Sequence, residues 1–255
     1  MIRGLYTAAT AMNVQVTRMD LVSNDLANVN TTGYKKDFAV VSSFEEELLY
    51  RMKDIENNRS NNNTIGYISP GARIEDIYTQ FTQASFVETG DKNNFAIQGE
   101  GFFQVQTPDG LRYTRDGNFS FNEAGSLVTK EGYAVMGEDG PIELGEEYLD
   151  TNIDIVVGRL GTIRLGLENV GKLALVNFEE PQALLKQGDN LYISEEEGIP
   201  ADATIYQGYL EVSNVNAVEA MVDMITISRA YEMSQKMIQV HDQLLGKAVN
   251  EIGKA

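Results

Sequence analysis

The stretch Phe95-Ala96-Ile97-Gln98-Gly99-Glu100-Gly101-Phe102-Phe103-Gln104-Val105-Gln106-Thr107-Pro108-Asp109-Gly110 sets the reading of the chain. Its apolar and polar residues follow a period near two, and glycine-bearing turns interrupt it at close intervals. That is the pattern of short strands joined by hairpins. The same pattern continues outward. Candidate strands are Phe95–Gln98, Phe102–Thr107, Leu111–Thr114, Asn118–Phe121, Ser126–Thr129 and Tyr133–Met136. Asp116-Gly117, Lys130-Glu131-Gly132 and Glu138-Asp139-Gly140 supply the turns. Further candidates are Ile153–Val157, Thr162–Leu167, Lys172–Phe178, Leu191–Ile193 and Thr204–Val212. The centre of the chain is expected to be all-β.

Both ends change to a helical period. Leu5, Ala9, Met12, Val16, Met19, Ser23 and Leu26 alternate spacings of four and three, which places them on one helix face. Asn28-Val29-Asn30-Thr31-Thr32-Gly33 stops that helix, and Gly33 suits a positive φ. At the other end Asn216 is a candidate cap with Glu219 three residues on, and the helix is expected to reach about Ile252, with Gly253 beyond. It carries two adjacent stripes. One is Met221, Met224, Ile225, Tyr231, Ile238, Leu245, Val249 and Ile252; the other is Ala220, Ile227, Ala230, Met237, Val240, Leu244 and Ala248. Such a wide face suits a helix lying on its own domain, or one that touches both its N-terminal partner and neighbouring subunits. The two terminal helices are expected to pack on each other, so a charge placed at Val16 would be buried.

The fold class expected is therefore α+β, with paired, coiled-coil-like N- and C-terminal helices flanking a central all-β domain. The divisions are 1–36 for the first helix and its exit, 37–66 for an Asn-rich loop or linker, 67–211 for the β domain and 212–255 for the last helix. Within the linker, Glu45–Lys53 reads as a short helix, and Ile55–Thr64 as an exposed loop.

Composition narrows the function. The 255 residues carry 38 acidic and 20 basic side chains, a net charge of −18, which opposes a broad electrostatic grip on nucleic acid or anionic lipid. The charge is uneven: +2 over residues 1–36, −6 over 37–130, −13 over 131–211 and −1 over 212–255. Cysteine is absent and His241 is the one histidine, so thiol chemistry and a histidine-based zinc cluster are excluded. There is no HExxH, P-loop, dinucleotide fingerprint or EF-hand loop. The carboxylate runs Glu45–Glu47 and Glu195–Glu197 read as solvated loop charge, and His241 as a helix contact residue. Four glycosylation sequons occur without a conventional secretory signal and read as chance. No catalytic residue, cofactor or metal site is expected, and no enzyme activity.

Three blocks of residues resemble one known family. Ser23-Asn24-Asp25-Leu26-Ala27-Asn28-Val29-Asn30-Thr31-Thr32-Gly33-Tyr34-Lys35 is similar to the N-terminal signature of the bacterial flagellar basal-body rod and hook family. The segment from Phe95 to Phe103, followed by Tyr113-Thr114-Arg115-Asp116-Gly117-Asn118-Phe119, looks like its central β signature. Gly208-Tyr209-Leu210-Glu211-Val212-Ser213-Asn214-Val215-Asn216, then Arg229-Ala230-Tyr231-Glu232, resembles its C-terminal one. The family-motif positions are Asn24, Leu26, Ala27, Asn28, Asn30, Thr31, Gly33, Tyr34, Gly99, Gly101, Phe102, Phe103, Arg115, Gly117, Ser213, Asn214, Val215, Arg229, Tyr231 and Glu232. Gly71-Ala72-Arg73-Ile74 with Phe81 and Gln83 looks like the distal-rod branch, the proximal-rod branch being the alternative.

The resemblance implies a structural subunit that polymerises with copies of itself into a tubular axle and meets neighbouring rod and hook proteins. It implies passage through the flagellar export apparatus without a cleaved signal peptide, and a place outside the cytoplasmic membrane. No nucleic acid partner and no membrane insertion are implied. The expected assembly interface is Leu5, Ala9, Met12, Val16, Met19, Leu26, Met221, Met224, Ile225, Ala230, Tyr231, Met237, Ile238 and Leu245. The rival class is a β module that binds cell-wall glycan on a helical stalk.

Overall fold

A computed structural model describes residues 2–56, 59–144, 155–166 and 168–252. The chain forms two compact units. One is β-rich and comprises Ala27–Lys36 and Thr79–Asn216; the other comprises Met1–Leu26, Asp37–Tyr78 and Ala217–Ala255 and carries both long helices.

The β-rich unit is organised around strand Phe102–Thr107. It pairs antiparallel with Gly110–Thr114 through the tight Pro108-Asp109 turn, with Phe103 opposite Thr114 and Thr107 opposite Gly110. On its other edge it shares two neighbours. Leu175–Asn177 meets Phe102 and Phe103, and Ala134–Gly137 meets Val105 and Gln106. Successive side chains on a strand point to opposite faces, and both faces are used. Phe103 and Val105 enter one core with Phe95, Ile97 and Phe119. Phe102 enters a second with Tyr113, Phe178 and Tyr192. Aromatic rings interlock edge-on in each core, Phe103 against Phe119 at 5.1 Å and Tyr113 against Phe178 at 4.7 Å. Phe95–Gln98, Phe102–Thr107 and Leu191–Ile193 fall as expected, and the other expected strands are present with shifted ends. Lys172–Phe178 divides into the ends of Glu168–Lys172 and Leu175–Asn177, and Thr204–Val212 into Thr204–Gln207 and Tyr209–Glu211. Ile155–Val157 and Thr162–Leu165 lie within two expected strands; Gly166 is a turn that ends the second, and positions 153–154 and 167 fall outside the described residues, as does Gly253.

In the other unit, helix α1 spans Ile2–Ala27 and helix α2 spans Ala217–Lys247, followed by a π-helical turn over Ala248–Ile252. The Asn-rich segment departs from expectation. Residues 37–66 are not a linker, and Glu45–Lys53 is not helical. Asp37–Ser43 pairs with Ala72–Thr79, and Glu47–Glu56 forms an antiparallel hairpin with Arg59–Ile68. Asn61 stands opposite Asp54 and Asn63 opposite Arg51, with two register shifts along the ladder. A two-stranded ladder satisfies its main chain without a buried side-chain pattern, so composition alone misjudged it. Asn57 and Asn58 lie outside the described residues. Strand Ala72–Thr79, assigned from sequence to the β domain, groups up to Tyr78 with the helices.

Candidate functional site

In the β-rich unit the three sequence blocks, far apart along the chain, meet at one buried junction. Gly33 takes φ +68, the positive value expected of it, and its N–H donates to the Glu211 carbonyl at 2.8 Å. A Cβ at Gly33 would stand 2.5 Å from the Asp116 nitrogen, so only glycine fits both the dihedral and the space. Thr32 donates its hydroxyl proton to Asp116 Oδ1 at 2.7 Å. Asn214 holds the opposite side: Oδ1 accepts from the Lys36 N–H, Nδ2 donates to the Gln80 carbonyl, and the Asn214 N–H donates to the Tyr34 carbonyl. Replacing Gly33 by valine should cost at least about 2 kcal/mol, from the left-handed dihedral plus the backbone clash. A urea midpoint unchanged in Gly33→Val would contradict the geometry.

The junction encloses charge. Lys35 Nζ lies 2.6 Å from Glu211 Oε1 and also donates to the Thr82 carbonyl at 2.9 Å. The Ala84 N–H donates to the same Glu211 oxygen at 2.9 Å. Arg115 Nη1 stands 3.6 Å from Glu211 Oε2, Nη2 donates to the Gly99 carbonyl at 2.9 Å, and the guanidinium lies 5.2 Å from the Phe102 ring centre. All three charged side chains are at most 4% exposed. Burial lowers the Lys35 ammonium below the usual lysine range, against the pull of Glu211. Burial lowers Arg115 likewise, again against Glu211, although a guanidinium stays protonated in water. Burial raises the Asp116 carboxyl, partly offset by the Thr32 hydroxyl. Nothing here has the layout of a reaction centre. The arrangement fastens the segments 32–36 and 211–214 to the β core.

Of the motif positions, Gly33, Tyr34, Gly99, Phe102, Arg115 and Asn214 come together at this junction. Asn24 and Leu26 belong to α1, and Arg229, Tyr231 and Glu232 to α2. The most telling groups, Lys35, Glu211 and Asp116, were not singled out as functional by their pattern. Isolated charges in a turn and at a strand end carry no periodic signal, so only their partners reveal them.

The helix faces are a second feature. Gly4 of α1 lies against His241 of α2, close enough that a Cβ there would sit 2.6 Å from Nε2. Gly4, Thr7, Ala8 and Ala11 share a groove with Ala230, Met233, Ser234 and Met237. So α1 presents small residues to α2, rather than the Leu5-to-Leu26 stripe. Of the expected interface residues, Leu5, Met12, Met19, Leu26, Met224, Ala230, Tyr231, Ile238 and Leu245 are half-buried. Ala9, Val16, Met221, Ile225 and Met237 are exposed. Val16 is 42% exposed, so a charge there would not be buried in the single chain. On α2 only Ala220 and Ile227 are buried. The covered seam runs Ala220, Met224, Ile227, Tyr231, Ser234, Ile238, His241, Leu245 and Ala248; it takes some residues from each stripe read in the sequence and adds Ser234 and His241, which belong to neither. Val218, Val222, Ile225, Met233, Val240 and Leu244 stay open to solvent. No helix among the described residues is long and apolar enough to cross a membrane.

Comparison with known proteins matches three family models in the same order as the three blocks. Residues 5–35 match the flagella basal body rod protein family, 96–165 the flagellar hook protein FlgE/F/G D1 domain, and 206–251 the flagellar basal body rod FlgEFG protein C-terminal family. The chain is 36% identical to the flagellar basal-body rod protein FlgG of Buchnera aphidicola subsp. Schizaphis graminum, across 97% of this chain and 98% of that protein. It is 35% identical to the flagellar basal-body rod protein FlgF of Caulobacter vibrioides, across 98% of each. It is 31% identical to the flagellar hook-basal body complex protein FlhO of Bacillus subtilis, across the full length of both. With relatives matched end to end at these identities, the chain belongs to the flagellar basal-body rod family.

Proposed function

We propose that this chain is a structural, non-enzymatic subunit of the flagellar rod, and that it polymerises through its terminal helices. The observation that carries the reading is the open apolar face on α2, with Tyr6 and Val16 exposed on α1. A 31-residue helix with two buried side chains is not covered within its own chain. Isolated helices gain most of their stability from packing, so neighbours in a polymer are the natural cover. The family supports assembly with neighbouring rod and hook proteins; self-polymerisation into a tubular axle, coiled-coil-like pairing of the helices and passage through the flagellar export apparatus are the finer parts of this proposal. So is a place in the basal body outside the cytoplasmic membrane. Several relatives carry the name FlgG, which supports the distal-rod branch over the proximal one. A glycan-binding module is not favoured by these relatives.

The test compares the full chain with a fragment of residues 27–216, which keeps the whole junction. The full chain should sediment as ordered tubes visible by electron microscopy, and the fragment should stay monomeric and β-rich by circular dichroism. Tubes from the fragment would overturn the assignment of polymerisation to the helices. A fragment of residues 67–211, drawn from sequence pattern alone, lacks Lys35 and Asn214 and should melt well below 27–216.

A further inference from the structure

His241, the one histidine of the chain, stands on the seam of α2 that faces α1. Its imidazole lies so close to Gly4 that a Cβ there would meet Nε2 at 2.6 Å and Cε1 at 2.7 Å, so the missing side chain of Gly4 is what seats the ring. Nδ1 is sealed from solvent and has no hydrogen-bond partner among the described residues. One turn away on α2, in either direction, the ring has Met237, Ile238, Leu244 and Leu245 beside it, all apolar. The other residues lining the groove that it shares with α1 are uncharged. The charged residues closest in sequence are turned to solvent: Lys236, Asp242 and Lys247 on α2 are exposed. Arg3, beside Gly4 on α1, is exposed too and lines a different cavity with Glu47 of the hairpin.

A neutral imidazole carries one N–H and one bare nitrogen. With Nδ1 bare the ring fits this seat, since a lone pair brings no proton that needs an acceptor. Imidazolium carries both protons. Its Nδ1–H would have neither acceptor nor water here, and its charge would be partly desolvated. We propose that His241 is a proton-sensitive latch between α1 and α2, closed while the imidazole is neutral and released when it takes up a proton. A histidine side chain in water changes charge near pH ~6.5. Separated helices accept that proton more readily than the packed pair. Packing is therefore strongest above this range and weakens as pH falls through it. The latch works within one chain and does not depend on the polymerising reading.

The test uses the full chain at low concentration. Hydrogen exchange of the α1 amides from Thr7 to Ala11, corrected for the intrinsic effect of pH on exchange, reads opening of the pair even where it is rare. With one histidine in the chain, a single imidazole Cε1–H signal in NMR reads its protonation. Between about pH 7.5 and about pH 5.5, protection of these amides should fall at least about fivefold, the effect of leaving one buried donor unpaired. The fall should follow the imidazole signal across the same span. Ordinary carboxylates keep their charge at the lower end, about 1 unit or more above their range. His241→Phe keeps a ring on Gly4 and removes the proton, so protection should stay high at both ends of the span. Gly4→Ala crowds the ring out of its seat and should lower protection already at about pH 7.5. Protection that does not change with pH, or a response that survives His241→Phe, overturns the latch. Gly4→Ala chains that exchange like the wild type place the ring elsewhere and overturn it as well.

Discussion

Glu211→Ala should destabilise the β-rich unit by about 3–5 kcal/mol, the range for removing one partner of a buried ion pair. The loss leaves Lys35 and Arg115 as two buried positive charges without the carboxylate that both face, and it also strips the Ala84 N–H of its acceptor. Lys35→Met should be milder, below about 2 kcal/mol. It removes one buried cation and leaves Arg115 and Glu211 paired one to one, and replacing a buried charge with an apolar group of similar shape is often tolerated. Glu211→Gln should fall between, since its amide oxygen still accepts from Lys35 and Ala84 but carries no charge. Urea unfolding of the 27–216 fragment, followed by near-UV circular dichroism, gives the three values. If Lys35→Met costs as much as Glu211→Ala, charge balance is not what holds the junction.

That junction also marks how far the sequence could be read. The strands around Phe102–Thr107 were legible because a two-residue period and Asp-Gly turns are local signals. Gly33 was legible for the same reason: one residue, one dihedral, a stop after a helical run. The ion pair of Lys35 with Glu211 joins residues 176 positions apart and leaves no local trace. The Glu47–Glu56 and Arg59–Ile68 hairpin was misread because its asparagines suggested exposure, and exposure was taken for absence of structure. Main-chain pairing runs along that ladder from Glu47 opposite Ile68 to Glu56 opposite Arg59. The terminal helices were legible as helices, but their facing was not. A period fixes which residues share a face, whereas the partner decides which face is covered. On α1 that partner selects Gly4, Ala8 and Ala11, which allow close approach, and leaves part of the larger stripe outward. On α2 it selects a seam that takes some residues from each of the two apolar stripes.

Two isoleucines on α2, two positions apart, should therefore respond in opposite ways to the same substitution. Ile227 is 3% exposed and Ile225 is 55% exposed. Ile227→Asp should cost about 4 kcal/mol or more in the monomer, because it puts a carboxylate in place of a buried apolar side chain. Ile225→Asp should change monomer stability by no more than about 0.5 kcal/mol, the usual range for an exposed site away from special features. In the polymer the order changes. If neighbouring copies cover the open stripe of Val218, Val222, Ile225, Met233, Val240 and Leu244, then Ile225→Asp places a charge in an apolar contact. It also forfeits about 2 kcal/mol of apolar burial at each repeat, which is more than tenfold in the concentration needed to assemble. Thermal melts at low concentration and sedimentation at high concentration separate the two effects. Ile225→Asp chains that melt like the wild type and no longer form tubes would identify the open stripe as the assembly face. Ile225→Asp chains that assemble at the wild-type threshold would exclude it, and the lateral contacts of the rod would then have to be sought on the half-buried residues Leu5, Met12 and Met19 of α1.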